Sequence, residues 1–525
     1  MTRSRPFAPS DLAALGLILG VLVLSCYRAA SQSITHDEAS AYLAYGAGPW
    51  SHLFERFRPD NHVLYTVLSR ISVAVFGLSE LTVRLPTLAA AAFILIMLHR
   101  ITRRYWFACS GVTGDGVNSD GGREAHRLLA LAFVVLNPLF LDYFVAARGY
   151  AVALALALLA VARLLGVLEA PRDERNRRHL LSAALAASLA ITAHLTFGLF
   201  MAVVSAVFVL ILLGDSYHEA GQAAVKASIR RVVAWYVVPA GLVTSAILVP
   251  FLRQMQKGEL VEGESTLRGA VNDMATRSLH HHVISVPWRT DTGTFDAVLA
   301  LVVDTMVPGI ALLLAVAAIV VGWRWVRGQT FSAMAPIERF LFFWALVFFV
   351  CLGALIVMHE VLDLPYPKAR FALYFAVTFS FGVSALPGWL WHRRWRLSSV
   401  LLSLLMGACV VQFLVQAPVQ HFSNALHDAH SRSTFQWLES RRRPAGEPAL
   451  RVASYPYIYG AAIDFYALAE GANWIEPVDI QPHPDRTYDY VLLHPLVKKR
   501  LLAAGKAEIL HDDPFTGLSI AVFKK

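Results

Sequence analysis

The stretch HVLYTVLSRISVAVFG, His62–Gly77, is apolar enough to pass for a membrane crossing, and the topology of the whole chain turns on whether it crosses. It is short for the task, because a helix needs ~20 apolar residues to traverse the ~30 Å hydrocarbon layer. Arg70 also stands in its middle, which is costly in lipid. The basic loops settle the choice. If the stretch does not cross, Arg3/Arg5, the His99–Arg104 cluster, Arg172–Arg178, Arg230/Arg231, Arg324/Arg327 and Arg393–Arg396 all fall on one side. Short cytoplasmic loops carry such a Lys/Arg excess. If it does cross, every later basic loop moves outside. Residues 62–77 therefore read as an amphipathic helix lying on the outer membrane surface.

Composition places the chain in the membrane. Of 525 residues, 56% are hydrophobic and only 16% charged, against ~25% charged in a soluble domain. Apolar runs recur at Ala151–Leu168, Leu195–Leu213, Ile310–Val321 and Leu397–Leu414. Eleven crossings are expected, near 11–28, 82–99, 128–141, 149–168, 179–193, 195–213, 232–252, 296–321, 339–358, 369–389 and 398–416. The four cysteines (Cys26, Cys109, Cys351 and Cys409) are far apart, so neither a zinc cluster nor a disulfide framework is indicated. Val23-Leu24-Ser25-Cys26 resembles a lipoprotein cleavage site, but a signal-like N-terminus in a polytopic chain reads better as the first retained span. The net charge of +9 sits in short loops and comes without a nucleic-acid motif, so no nucleic-acid partner is expected.

Four features then share the outer face: a loop from Ala29 to Leu81, the Asp142–Arg148 turn, the Arg253–Phe295 loop, and a tail from about Ala417 to Lys525. The tail carries twelve Lys/Arg and twelve Asp/Glu. Strand-like runs at Leu450–Tyr455, Tyr488–Leu493 and Leu518–Phe523 alternate with helical pattern at Ser433–Arg442 and Ala461–Ala469. The chain is expected to be a membrane all-α protein: a polytopic helical module over 1–416, followed by a small extracytoplasmic α/β domain over 417–525.

The residues able to carry chemistry cluster on that face. Asp37 and Glu38 follow the first span directly, at a lipid–water boundary where each raises the other's pKa. A general base needs such a carboxylate; a helix N-terminus favoured by its dipole is the plainer reading. Asp142 and Arg148 read either as an anchoring ion pair or as an anion grip. Lys368 and Arg370 open a span on the outer side, where basic residues are disfavoured unless they snorkel or bind something. In Arg58-Pro59-Asp60-Asn61-His62, the histidine is either structural or a phosphate or proton ligand. His280-His281-His282 reads as a solvated loop, since three consecutive residues cannot all face one ion. His194 is ambiguous.

Taken in order, these motifs resemble glycosyltransferase family 39 and its relatives in the GT-C superfamily. The resemblance rests on His36-Asp37-Glu38 and on Asn61-His62-Val63-Leu64-Tyr65, standing where the family has His-Pro-Pro-Leu-Tyr. It continues through Phe76-Gly77-Leu78-Ser79-Glu80-Leu81-Thr82-Val83-Arg84-Leu85-Pro86 and the Asp142/Arg148 turn, over roughly residues 10–390. It implies a GT-C type bundle that transfers sugar from a polyprenyl-phosphate carrier to a lipid, glycan or protein acceptor on the outer face of a bacterial inner membrane. Asp37 would be the catalytic base, supported by Glu38 and Asp142. His62, Arg148, Lys368 and Arg370 would hold the donor phosphate. A divalent metal at Asp60 or Glu38 is a further implication of some relatives. The proline pair is missing and the family's histidine aligns with Asn61, which puts the role of His62 in question. A transporter or lipid flippase, a glycan ligase and a non-enzymatic scaffold are the rival readings. The charges lie at one face rather than within the spans, which weighs against transport.

Overall fold

In hydrocarbon, backbone N–H and C=O groups must be satisfied within the chain, so apolar runs of this length fold as helices. A computed structural model of the protein describes residues 9–51, 53, 61–107, 120–170, 175–252, 263–279, 293–417, 419–422, 425–480, 482 and 486–523. Helix α1 (Pro9–Ser31) leads through a short loop to α2 (His36–Ala41). Eight helical stretches are long and apolar enough to cross a membrane: Pro9–Ser31, Glu80–Trp106, Tyr150–Glu169, Phe197–Pro250, Asp296–Val326, Pro336–Leu362, Ala369–His392 and Arg396–Val415.

All eleven segments expected to cross are helical, but they group differently. The segment at 128–141 divides into Asp120–Val135 and Pro138–Tyr143. Asn137 accepts the Leu139 amide at 2.9 Å and caps a new helix, and Pro138 has no N–H with which to continue the old one. The segment at 179–193 lies in Asn176–Ala193, whose first turn, Asn-Arg-Arg-His, shortens the apolar part. The segments at 195–213 and 232–252 fall on one stretch of 54 residues. At 1.5 Å per residue that is ~80 Å, more than twice a bilayer core. A break at Ala220–Gly221, where Gly221 has φ 65°, divides it; a side chain there would be strained.

Helix Tyr150–Glu169 is largely enclosed and packs along Asn176–Ala193. Both bury many alanines, small enough to let helix backbones approach closely. Helix Val63–Phe76 forms as expected and lies against Glu80–Phe107, with Tyr65 donating to the Val83 carbonyl at 2.5 Å and Ser72 to that of Thr82 at 2.6 Å. Its 14 residues reach ~21 Å, too short to cross. Arg70 turns back onto the Gly48 and Pro49 carbonyls and lies 4.3 Å over the Trp50 ring. Ile71, Val75 and Phe76 stay exposed.

Beyond Val415 the chain changes character. Strands β1 (Val452–Tyr455), β2 (Tyr490–Leu493), β3 (Ala507–Asp512) and β4 (Ser519–Phe523) form one sheet in the order β1-β2-β4-β3. β1 and β2 are parallel, with helix Gly460–Glu470 in the crossover; the other pairs are antiparallel. Strand β3 was not legible from the sequence, because its residues, AEILHD, are mostly exposed and do not alternate cleanly.

Candidate active site

The short helix α2 carries two adjacent carboxylates, and its N-terminus is held by a capping box. Thr35 Oγ1 accepts the Glu38 amide at 3.2 Å and Glu38 Oε2 accepts the Thr35 amide at 2.9 Å. Glu38 is also bound by Arg84, Nε to Oε1 at 3.0 Å and Nη2 to Oε2 at 2.6 Å, and by the Ala147 amide at 2.5 Å. The remaining Arg84 donors reach the carbonyls of Ala29, Gln32 and Ser33 at 2.7–3.1 Å. Burial opposes the Glu38 charge, but the Arg84 charge and these hydrogen bonds outweigh it and hold the carboxyl below its usual range. Asp142 is similarly enclosed: Arg28 Nη2 donates to its Oδ1 at 2.6 Å, while Arg28 Nη1 takes the Leu141 carbonyl at 2.8 Å.

Asp37 differs from both. Its side chain is 42% exposed and forms an ion pair with Arg370, with Arg148 Nη1 a further 3.7 Å from Oδ2. Arg148 Nη1 also donates to the Asp37 carbonyl at 3.2 Å, and its Nε donates to His62 Nε2 at 3.1 Å. An imidazole nitrogen that accepts from a guanidinium carries no proton, so His62 is neutral, with its hydrogen on Nδ1. Burial, then the neighbouring His194 and Arg148, keeps His62 well below its ordinary pKa. Where the sequence left His62 as either structural or a phosphate or proton ligand, the structure places its Nε2 as an acceptor for Arg148. His194 stacks on it at 4.5 Å, lies 3.9 Å from the Tyr150 ring, and takes the Thr196 hydroxyl at 2.8 Å. Its own pKa is pushed down to about 3 by burial and by Arg148. Gly149 allows this layer to close: a Cβ there would run into the Ala193 carbonyl oxygen.

Lys368 is turned elsewhere. Its Nζ lies 3.8 Å from Glu264, whose backbone pairs with Tyr366 at 2.8 and 2.9 Å. Among the described residues it makes no bond to Asp37, Arg148 or Arg370. Asp60 and the run 280–282 lie outside the described residues. Among those described, no group of three His, Cys, Asp or Glu is placed to hold a metal ion. Both oxygens of Glu38, the other suggested ligand, are engaged by N–H donors.

Sequence reasoning gave no role to several residues that build the site. Arg28 and Arg84 are charges at the ends of apolar helices, and such a charge needs a partner; that signal was available. No residue of the C-terminal domain was named for the site from the sequence. Tyr466 Oη accepts the Ile34 amide at 3.0 Å, and Asp428 Oδ2 accepts the His36 amide at 2.7 Å. The Tyr457 ring meets the His36 ring edge-on at 5.3 Å. Burial pushes the Asp428 carboxyl well above its usual range. Nothing local in 417–525 marks these residues.

No family model matches the chain, and no curated protein matches it. Among solved structures it is similar to ArnT from Cupriavidus metallidurans bound to undecaprenyl phosphate, at 12% identity over 98% of both chains with a TM-score of 0.46. It is similar also to the Archaeoglobus fulgidus oligosaccharyltransferase in the apo form, at 10% identity over 94% of this chain and 70% of that one, TM-score 0.48. For the arabinosyltransferase EmbB from Mycobacterium smegmatis the identity is 13%, over 82% of this chain and 44% of that one, with a TM-score of 0.33.

Proposed function

We propose that the chain is an integral membrane glycosyltransferase that moves a sugar from a polyprenyl-phosphate carrier to an acceptor, with inversion, on the outer face of a bacterial inner membrane. The N-terminus lies in the cytoplasm and the C-terminal domain outside. The observation that carries this reading is Asp37, an open carboxylate set between two guanidiniums, beside two carboxylates that are already spent.

The chemistry follows from that contrast. Asp37 takes the proton of an acceptor hydroxyl as its oxygen attacks the anomeric carbon. The new C–O bond forms as the bond to the carrier phosphate breaks, and the electron pair leaves on the phosphate oxygen. Attack opposite the phosphate inverts the configuration. Arg148 and Arg370 stabilise the growing charge on the leaving phosphate, where fixed donors act most strongly. Without donor, Asp37 is itself the anion between these cations; a bound phosphate competes for them and frees the carboxylate to act as base. Lys368, two residues before Arg370, adds positive potential at the same turn.

Glu38 and Asp142 are positioning residues on this reading, joining the first loop and the 142–148 turn to the helix bundle. A cavity of about 560 Å³, lined among others by Phe348, Phe375, Phe379, Leu405 and Phe413, suits the carrier's isoprenoid chain. Phe375 and Phe379 follow Arg370 on the same helical stretch, so a phosphate at Arg370 would place its lipid near them. The helix Val63–Phe76, with its exposed apolar side, rests on the bilayer surface.

The test is release of polyprenyl phosphate from a panel of polyprenyl-phosphate sugars by purified protein and by Asp37→Asn. Release by the wild type alone supports the reading. Equal release by both removes Asp37 as base. Lipid transport without turnover would point to a flippase.

A further inference from the structure

Beside the contact between the first outer loop and the C-terminal domain lies an open hollow of about 590 Å³, lined by Tyr455, Pro456, Tyr457, Ile480 and Pro482. Small-molecule sites run ~300–1,000 Å³. Tyr455, Tyr457 and Ile480 are 49%, 56% and 50% exposed, although the same domain fully encloses Tyr459, Phe465 and Tyr466. Tyr457 also touches His36, the residue immediately before Asp37. The hollow therefore adjoins the helix that carries the base.

We propose that this hollow holds a ring of a neutral saccharide acceptor and presents its hydroxyl to Asp37. The inference rests on the transferase reading and names the acceptor class it left open. Three observations favour a neutral sugar. Exposed tyrosine faces carry the negative part of the ring quadrupole, and the polarised C–H groups on one face of a pyranose pack against them. The described lining is two tyrosines, two prolines and an isoleucine, a surface made to pack against an uncharged ring. A peptide added as a strand needs a free sheet edge, and β1 has none. It pairs with β2 on one side; on the other, Ser454 donates to the Asp479 carbonyl and Asp479 to that of Val452, both at 2.9 Å.

The test is saturation-transfer NMR on the full-length protein in detergent, with cellobiose, mannobiose, chitobiose and N-acetyllactosamine as probes. At least one should bind the wild type. Its signal should fall at least fivefold in the double variant Tyr455→Ala/Tyr457→Ala and persist in Tyr457→Phe, which keeps the ring face. Ile480→Glu, on the exposed rim, should weaken binding without disturbing the fold, as read by an unchanged thermal midpoint. No binding by any of the four sugars, equal binding by wild type and the alanine variant, or stronger binding of a sugar phosphate than of its neutral counterpart would each overturn the proposal. Binding requires no turnover, so its failure is read apart from failure of the transferase reading, which shows as no polyprenyl-phosphate release by the wild type.

Discussion

Asp37 and Glu38 are neighbours on one short helix, yet they end in opposite environments. Glu38 is buried, and every acceptor position it uses is filled by Arg84, Ala147 or Thr35. Asp37 is nearly half exposed and pairs with two arginines, Arg148 and Arg370. Consecutive helical residues point ~100° apart, so one faces the bundle and the other the opening. The lesson is that charge type does not distinguish the enclosed carboxylate from the open one; the number of donors already committed to each does.

Breaking each of the two carboxylates should therefore give contrary results. Asp37→Asn should lower kcat by about 10³-fold, within the range for losing a general base, while the thermal midpoint moves less than in the Glu38 variant, because Asp37 itself is nearly half exposed and its charge is partly screened by solvent. Glu38→Gln should do the reverse, destabilising by ~3–5 kcal/mol because Arg84 is left buried without its counter-charge. Thermal unfolding in detergent alongside a transfer assay separates them; a Glu38→Gln protein that melts like the wild type would remove its structural role.

His62 sharpens the comparison on the arginine side. His62→Ala takes away the acceptor that aims Arg148, and kcat/KM should fall ~10-fold or more, as expected for a charge-assisted bond of ~1.5–3 kcal/mol. His62→Gln, which keeps an acceptor, should recover much of the loss. If alanine and glutamine behave alike, orientation of Arg148 is not what His62 does.

The histidine layer also predicts a pH dependence. His194 titrates at about 3 in the fold against ~6.5 for an ordinary histidine, so folding favours its neutral form. Above ~6.5 both states are neutral and nothing is lost. As pH falls below that value the unfolded chain binds the proton first, and stability declines by up to ~1.4 kcal/mol per pH unit for this group until the folded value is reached. The drop in thermal midpoint between pH 7.5 and 5 should shrink in His194→Gln; an unchanged drop would mean that other groups dominate. The smallest effect belongs to Lys368→Ala. With its ammonium turned toward Glu264, its removal should change activity about threefold or less, and a larger loss would mean that it swings onto the donor.

Much of the helical fold could be read from composition, because each apolar run commits to helix on its own. The grouping of the runs was less legible. The cap at Asn137 and the break at Gly221 act over single turns inside stretches that look uniformly apolar. Of the site, Asp37, Arg148 and Arg370 were visible as charges at the ends of apolar runs. Arg84 was quoted within a motif but given no task, since its target lies 46 residues away.

The sequence by itself determined that this is a polytopic membrane protein, that its ionisable motifs emerge on one face, and that a polar domain follows the last span. These are consequences of local composition against the demands of a bilayer. Only the tertiary structure decided which carboxylate stays open, that His62 is an acceptor for Arg148, and that the C-terminal domain touches the start of α2. Arg370 reaches Asp37 across 333 residues and Asp428 reaches His36 across 392. Contacts over such separations leave no local pattern, because they depend on how distant surfaces meet once the helices have packed.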